Sequence, residues 1–291
     1  MTVPARPTPL FADIADVSRR LAETGYLPDT ATATAVFLAD RLPHPPPWGG
    51  GGGAVMPPCC AQWAQATGSG LVRLQCYEGV DEARALYEWN HAKQILRIQA
   101  GSGDWEATKT DVFSEEFLLQ RPLLTAIRRT EPTVLLIDET DKADIEIEGL
   151  LLEVLSDFAV TVPELGTLTA TRAPFVLLTS NATRELSEAL KRRCLYLHID
   201  FPTPELERRI LLSRVPELPE HFAEELVRII GVLRGMQLKK VPSIAETIDW
   251  GRTVLALGLD TIDDAVVAAT LGVVLKHQSD QQRATGELRL N

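Results

Sequence analysis

Two adjacent carboxylates, Asp138 and Glu139, end a short apolar and β-branched run, Thr133–Ile137. Neighbouring acids at a strand end can divide labour in nucleotide hydrolysis. One holds Mg²⁺ with the phosphates and the other orients an attacking water. Asn181 follows a second run of the same kind, Phe175–Thr179. A neutral amide there can hydrogen-bond both the γ-phosphate and the water. Arg192 and Arg193 come next, ahead of a third run, Leu195–Ile199. Arg193 is expected to project outward and neutralise charge developing on a neighbour's transferred phosphoryl group. The plainer reading, in which Asp138 only caps the following helix, is weaker because three polar stations recur in order.

Those stations need carriers. Thr133–Ile137 and Phe175–Thr179 show no polar alternation, which suits strands buried on both faces of a parallel sheet. Ligands of such sheets sit at the carboxyl ends of the strands, where the acids fall. Leu71–Gln75 alternates like another strand. Helices are predicted from Ile14, from Thr30, over Asp81–Ile98, from Pro122, through Ile147–Phe158 and over Thr183–Leu190. Val160–Val162 and Thr167–Thr169 flank Pro163-Glu164-Leu165-Gly166 as a hairpin. Past Pro204 every predicted element is a helix, and the tail Gln278–Asn291 is expected to fray. The expected fold class is therefore α/β: a parallel central sheet in an αβα sandwich over residues 1–204, then a small all-α lid over 205–291. One segment resists. Pro43–Gln62 carries neither period, and its prolines and glycines argue against both helix and strand.

Composition narrows the classes. The chain has 291 residues, 45% hydrophobic and 24% charged, with a formal net charge of −11. An acidic chain without a basic patch argues against nucleic acid as a partner. No apolar run is long enough for a membrane span, and no signal-peptide core opens the chain. The four cysteines lack metal-ligand spacing. Free thiols in the cytoplasm are expected.

The motifs resemble those of AAA+ ATPases, the MoxR family in particular. The resemblance rests on VLLIDETDKAD (Val134–Asp144), VTVPELGTL (Val160–Leu168) and LLTSNATRELSEALKRRC (Leu177–Cys194). RLQCYEGVDEARALYEWNHAKQ (Arg73–Gln94) and FSEEFLLQRPLL (Phe113–Leu124) look closest to the branch accompanying maturation of molybdenum-dependent carbon monoxide dehydrogenase. The resemblance implies Asp138 and Glu139 as Walker B, with Asp138 on Mg²⁺-ATP. It implies Asn181 as sensor 1 on the γ-phosphate and Arg193 as arginine finger, with Arg192 beside it. It further implies a homo-oligomeric ring, commonly a hexamer, that remodels a metalloenzyme client with a partner carrying a von Willebrand factor A domain.

Two departures stand out. The family's P-loop, GxxxxGK[ST], belongs where Pro43–Gln62 lies, yet the first lysine of the chain is Lys93. Gly49, Gly50, Gly51, Gly52 and Gly53 remain as a degenerate P-loop position whose amides can wrap an anion. No arginine follows Pro242-Ser243, where relatives often place sensor 2. Losing the lysine and part of the amide cradle predicts ATP affinity lower by about two to four decades. The alternative function is a non-hydrolysing scaffold subunit that binds partner proteins.

Overall fold

The computed structural model describes residues 9–41, 48–51, 56–100, 111–181, 183–196, 200–259 and 261–288. Two N-terminal helices, α1 (Ile14–Glu23) and α2 (Thr30–Arg41), lead into strand β1 (Trp48–Gly51), helix α3 (Met56–Thr67) and strand β2 (Gly70–Gln75). After α4 (Glu82–Ala85), β3 (Tyr87–Trp89) and α5 (His91–Ala100) come β4 (Leu118–Gln120) and α6 (Pro122–Arg128). Strand β5 (Thr133–Asp138), α7 (Ile145–Asp157), the hairpin β6 (Ala159–Val162) and β7 (Gly166–Thr169), and β8 (Phe175–Ser180) follow. Helix α8 (Glu188–Lys191) and strand β9 (Leu195–Tyr196) complete this part.

The main sheet is parallel, in the order β2-β5-β8-β1-β9. Every side chain of β5 is buried, as its unbroken apolar run requires. Alternate residues serve two faces. Leu135 and Ile137 join Leu123, Leu124 and Ile127 of α6 and Ile147, Leu151 and Val154 of α7 in one core cluster. Val134 and Phe175, of the other parity, line a small cavity with Trp63 of α3. The Trp63 and Phe175 ring centroids lie 3.7 Å apart. Asp138 shares the parity of Val134, so it leaves the sheet on the α3 side.

The segment expected to carry neither helix nor strand carries both. Residues 48–51 pair with β8 on one side, Gly51 opposite Ser180, and with β9 on the other, Trp48 opposite Leu195. Glycine is a weak strand former, but β8 pairs with the whole of 48–51 and β9 with Trp48 and Gly49, which supplies the ladder that composition does not favour. Pro57 and Pro58 fall in the first turn of α3, where no N–H is needed. Gly52 and Gly53 lie outside the described residues.

Three further expectations need correction. Asp81–Ile98 is not one helix. The Asp81 carboxylate caps α4 by accepting from the Arg84 N–H, and Tyr87–Trp89 is taken by antiparallel pairing with Leu118–Gln120. Thr183–Leu190 is helical only from Glu188, because buried carboxylates hold Thr183 and Ser187 in a loop. The tail is ordered as a helix over Gln278–Glu287, anchored by the buried Asp280, which accepts from the Lys239 and Lys240 amides at 3.1 and 3.3 Å. The last part of the expected strand Leu195–Ile199 lies outside the described residues.

Tertiary contacts divide the chain into two compact units. One is the α/β unit just described, running to His198; the other combines Gly25–Asp29 with Ile199–Asn291. The second unit is all helical: α9 (Pro204–Arg214), α10 (Glu220–Gly235), α11 (Ile244–Ala256), α12 (Asp264–Val274) and α13 (Gln278–Glu287). Ser243 and Glu246 form a capping box at the start of α11. Leu211, Phe222, Leu226, Ile230, Trp250 and Leu271 build its core.

Candidate functional site at the β5 strand end

Asp138 is the last residue of β5 and is 3% exposed. It does not cap the next helix. That task falls to Asp144, whose carboxylate accepts from the Ile147 N–H at 3.0 Å. Both Asp138 oxygens are instead engaged across the sheet. Oδ1 accepts from the Thr179 hydroxyl of β8, and Oδ2 is paired with the Arg73 guanidinium of β2. The parallel register explains the reach, since Arg73 lies opposite Leu136 and Gln75 opposite Asp138. Arg73 and Gln75 are two residues apart, so they share the face on which Asp138 emerges.

Glu139 turns the chain. Its φ of 55° and ψ of 46° are left-handed, a conformation that costs a non-glycine residue on the order of 1–3 kcal/mol. The surroundings hold it there. Its N–H donates to Thr179 Oγ1 at 2.9 Å, and its carbonyl accepts from the Lys142 N–H at 2.9 Å. The carboxylate accepts from Gln75 Nε2 at 2.8 Å, Lys142 Nζ at 2.7 Å and Asn181 Nδ2 at 3.3 Å. The turn thus brings the Glu139 carboxylate to the amide at the neighbouring strand end.

Asn181 is fixed in turn by a carboxylate that the sequence reading left without a role. Asp141 is 4% exposed. It accepts from the Asn181 N–H at 3.1 Å, from the Thr183 N–H at 2.9 Å and from the Thr183 hydroxyl. Burial pushes the Asp141 pKa up, but these hydrogen bonds outweigh it and leave the carboxyl below its ordinary value. Glu148 repeats the device one turn into α7, accepting from the Ser187 N–H at 2.9 Å and pairing with Arg184. Two buried acids therefore hold the loop that carries Asn181.

Cys76 lies beside this cluster, its N–H on the Asp138 carbonyl at 2.8 Å. Burial, with help from Asp138, Asp141 and Glu139, pushes its thiol up to about 12. It stays protonated at neutral pH and is no nucleophile.

The predicted site residues are thus only partly gathered. Asp138, Glu139 and Asn181 meet at adjoining strand ends. Arg193 does not join them. Its guanidinium donates to the Leu152 carbonyl at 2.8 Å and to the Ser156 hydroxyl, both near the end of α7. Arg192 is exposed, with no side-chain partner among the described residues. Gly49, Gly50 and Gly51 are strand residues rather than an anion-wrapping loop. Sequence reasoning missed Arg73, Gln75, Thr179 and Asp141. Arg73 and Gln75 left one signal: polar residues at alternate positions in the last half of an otherwise apolar strand.

The Mg²⁺ that the resemblance places on Asp138 is not matched by this arrangement. One oxygen takes a hydroxyl and the other a guanidinium. Among the described residues no group of three or more His, Cys, Asp and Glu side chains is placed to hold a metal. Among the same residues, no helix is long and apolar enough to cross a membrane.

No family model matches the chain, and no curated protein matches it. Among solved structures, a RuvB mutant from Thermotoga maritima is similar over 92% of this chain and 72% of that one. The TM-score is 0.48 and the identity 16%. At that score the likeness assigns nothing to this chain beyond what its own residues carry.

Proposed function

We propose that this chain is an AAA+ ATPase of MoxR type, built to hydrolyse ATP and couple the reaction to remodelling of a protein client. One observation carries the reading: Glu139 and Asn181, from adjoining parallel strands, are hydrogen-bonded to each other beside the buried Asp138. Glu139 orients and deprotonates the attacking water. Asn181 hydrogen-bonds the same water and the terminal phosphate. Asp141 keeps the Asn181 backbone in place while this happens. For Arg193 to act on a neighbouring subunit, it must exchange the Leu152 carbonyl for phosphate oxygens. A homo-oligomeric ring, commonly a hexamer in the MoxR family, a von Willebrand factor A partner, a metalloenzyme client and a cytoplasmic setting extend the same reading.

A second reading, a non-hydrolysing scaffold, draws support from a different observation. The Arg73 guanidinium already neutralises Asp138, and no lysine precedes Lys93 to meet phosphate. The two readings separate in a version carrying a grafted P-loop. The grafted chain is expected to turn over ATP, and Glu139→Gln in it to abolish turnover while ATP binding persists. Mixing Glu139→Gln with Arg193→Ala subunits is expected to restore part of the activity. Turnover unchanged by Glu139→Gln rules out the hydrolytic role given to that residue.

A further inference from the structure

We propose that Arg73 is the resident cation of the Asp138 site and that its guanidinium keeps divalent metal ions off that carboxylate. The inference rests on the reading of Asp138 as the acid that faces a nucleotide's metal, and it concerns how that acid is regulated.

The geometry is specific. Asp138 is buried to 3% exposure, and its second oxygen is held by the Thr179 hydroxyl. Arg73 takes the remaining one from the adjacent strand, as register dictates. A guanidinium and a divalent ion compete for the same carboxylate lone pairs, and both cannot hold one oxygen. Arg73 is also tied to the rest of the cluster. Its guanidinium reaches Gln75 Oε1 at 2.5 Å, while Gln75 Nε2 reaches Glu139 at 2.8 Å. One strand, β2, thus supplies the partners of both acids.

The pair is also built to open. Asp138 is fixed, but the Arg73 side chain is 52% exposed. It contacts Asp138 through one nitrogen, with no fork-to-fork pairing. A planar cation on a flexible stem at a strand end can swing to an anion arriving from solvent. A divalent ion would reach Asp138 only once the guanidinium had left that oxygen.

The test needs no nucleotide. Mn²⁺ alone is titrated into the full chain and followed by electron paramagnetic resonance. The chain is expected to leave Mn²⁺ free where Arg73→Gln binds it, with a gain of about ten- to a hundredfold. Arg73→Gln combined with Asp138→Asn is expected to lose that gain. Equal Mn²⁺ binding by the unmodified chain and Arg73→Gln overturns the proposal, as does no gain in Arg73→Gln. A second measurement covers the case in which Arg73→Gln does not fold. Nitrogen NMR of the unmodified chain is expected to show slow rotation of the Arg73 guanidinium, made fast by Asp138→Asn. Fast rotation in the unmodified chain also overturns the proposal. Either failure leaves the ATPase reading to its own turnover test.

Discussion

Two buried carboxylates, one in each unit of this protein, are paired with an arginine, Glu207 with Arg234 and Asp138 with Arg73, and these two pairs differ in kind. In the helical unit Glu207 is 2% exposed, and Arg234 grips it with both terminal nitrogens, at 2.5 and 2.8 Å. Thr247 donates a further hydrogen bond at 2.7 Å, and Arg234 Nε donates to the Pro242 carbonyl at 2.9 Å. The guanidinium also lies 4.3 Å from the Phe201 ring centre. In the α/β unit Asp138 is just as buried, but Arg73 offers one nitrogen and leaves half its side chain in solvent. The first pair is sealed by five contacts and holds helices α9, α10 and α11 together. The second sits at a strand end with its cation half in solvent. Burial of the acid is the same in both. What separates a structural pair from an exchangeable one is how the cation is held.

Breaking the sealed pair should have the largest effect. Glu207→Ala leaves Arg234 buried without its counter-ion and is expected to cost about 3–5 kcal/mol. Urea denaturation followed by Trp250 fluorescence reads this. A cost near zero would make the two pairs alike and remove the contrast.

Asp141 comes next. It is a buried acid held without any cation, by neutral donors alone. Asp141→Asn is expected to cost about 2–3 kcal/mol, since it removes charge-assisted hydrogen bonds from the Asn181 and Thr183 amides. The sign of its pH dependence follows from the lowered pKa. A depressed carboxyl contributes stability fully above its unfolded pKa of about 3.9 and loses it as pH falls through the folded value. Acid unfolding below about pH 4 should therefore be shallower in Asp141→Asn than in the unmodified chain. Identical acid limbs would show that the loop does not depend on this charge.

The exchangeable pair should matter least to stability. Arg73→Gln is expected to cost about 1–2 kcal/mol, because solvent already reaches the guanidinium and Thr179 keeps its bond to Asp138. A loss as large as that of Glu207→Ala would place Arg73 among the structural cations and argue against its exchange.

Much of this was legible in the residues. The unbroken run Thr133–Ile137 announced a doubly buried strand, and the acids after it fell at the strand end. The spacing of Ile147, Leu151 and Val154 gave helix α7 its core face. What could not be read were partners set by register. Arg73 and Asp138 are 65 residues apart, and only the pairing of β2 with β5 brings them together. Local composition misled at Pro43–Gln62, where glycines in β1 are held by strands from much later in the chain. The same limit hid Asp141. Its role depends on a loop that follows β8, and the apolar pattern of Thr183–Leu190 pointed to a helix that the buried acids do not allow.

The most direct test of the account is isothermal titration of the chain with Mg²⁺-ATP, beside the version carrying a grafted P-loop. The account predicts no micromolar binding by the chain itself. The β1 glycines are spent on strand pairing, no lysine meets the phosphates, and Arg73 covers the acid that would face the metal. The grafted version is expected to bind about two to four decades more tightly. Micromolar binding by the unmodified chain would contradict this account of the β1 and β5 strand ends, and failure of both versions would contradict the assignment of a nucleotide site.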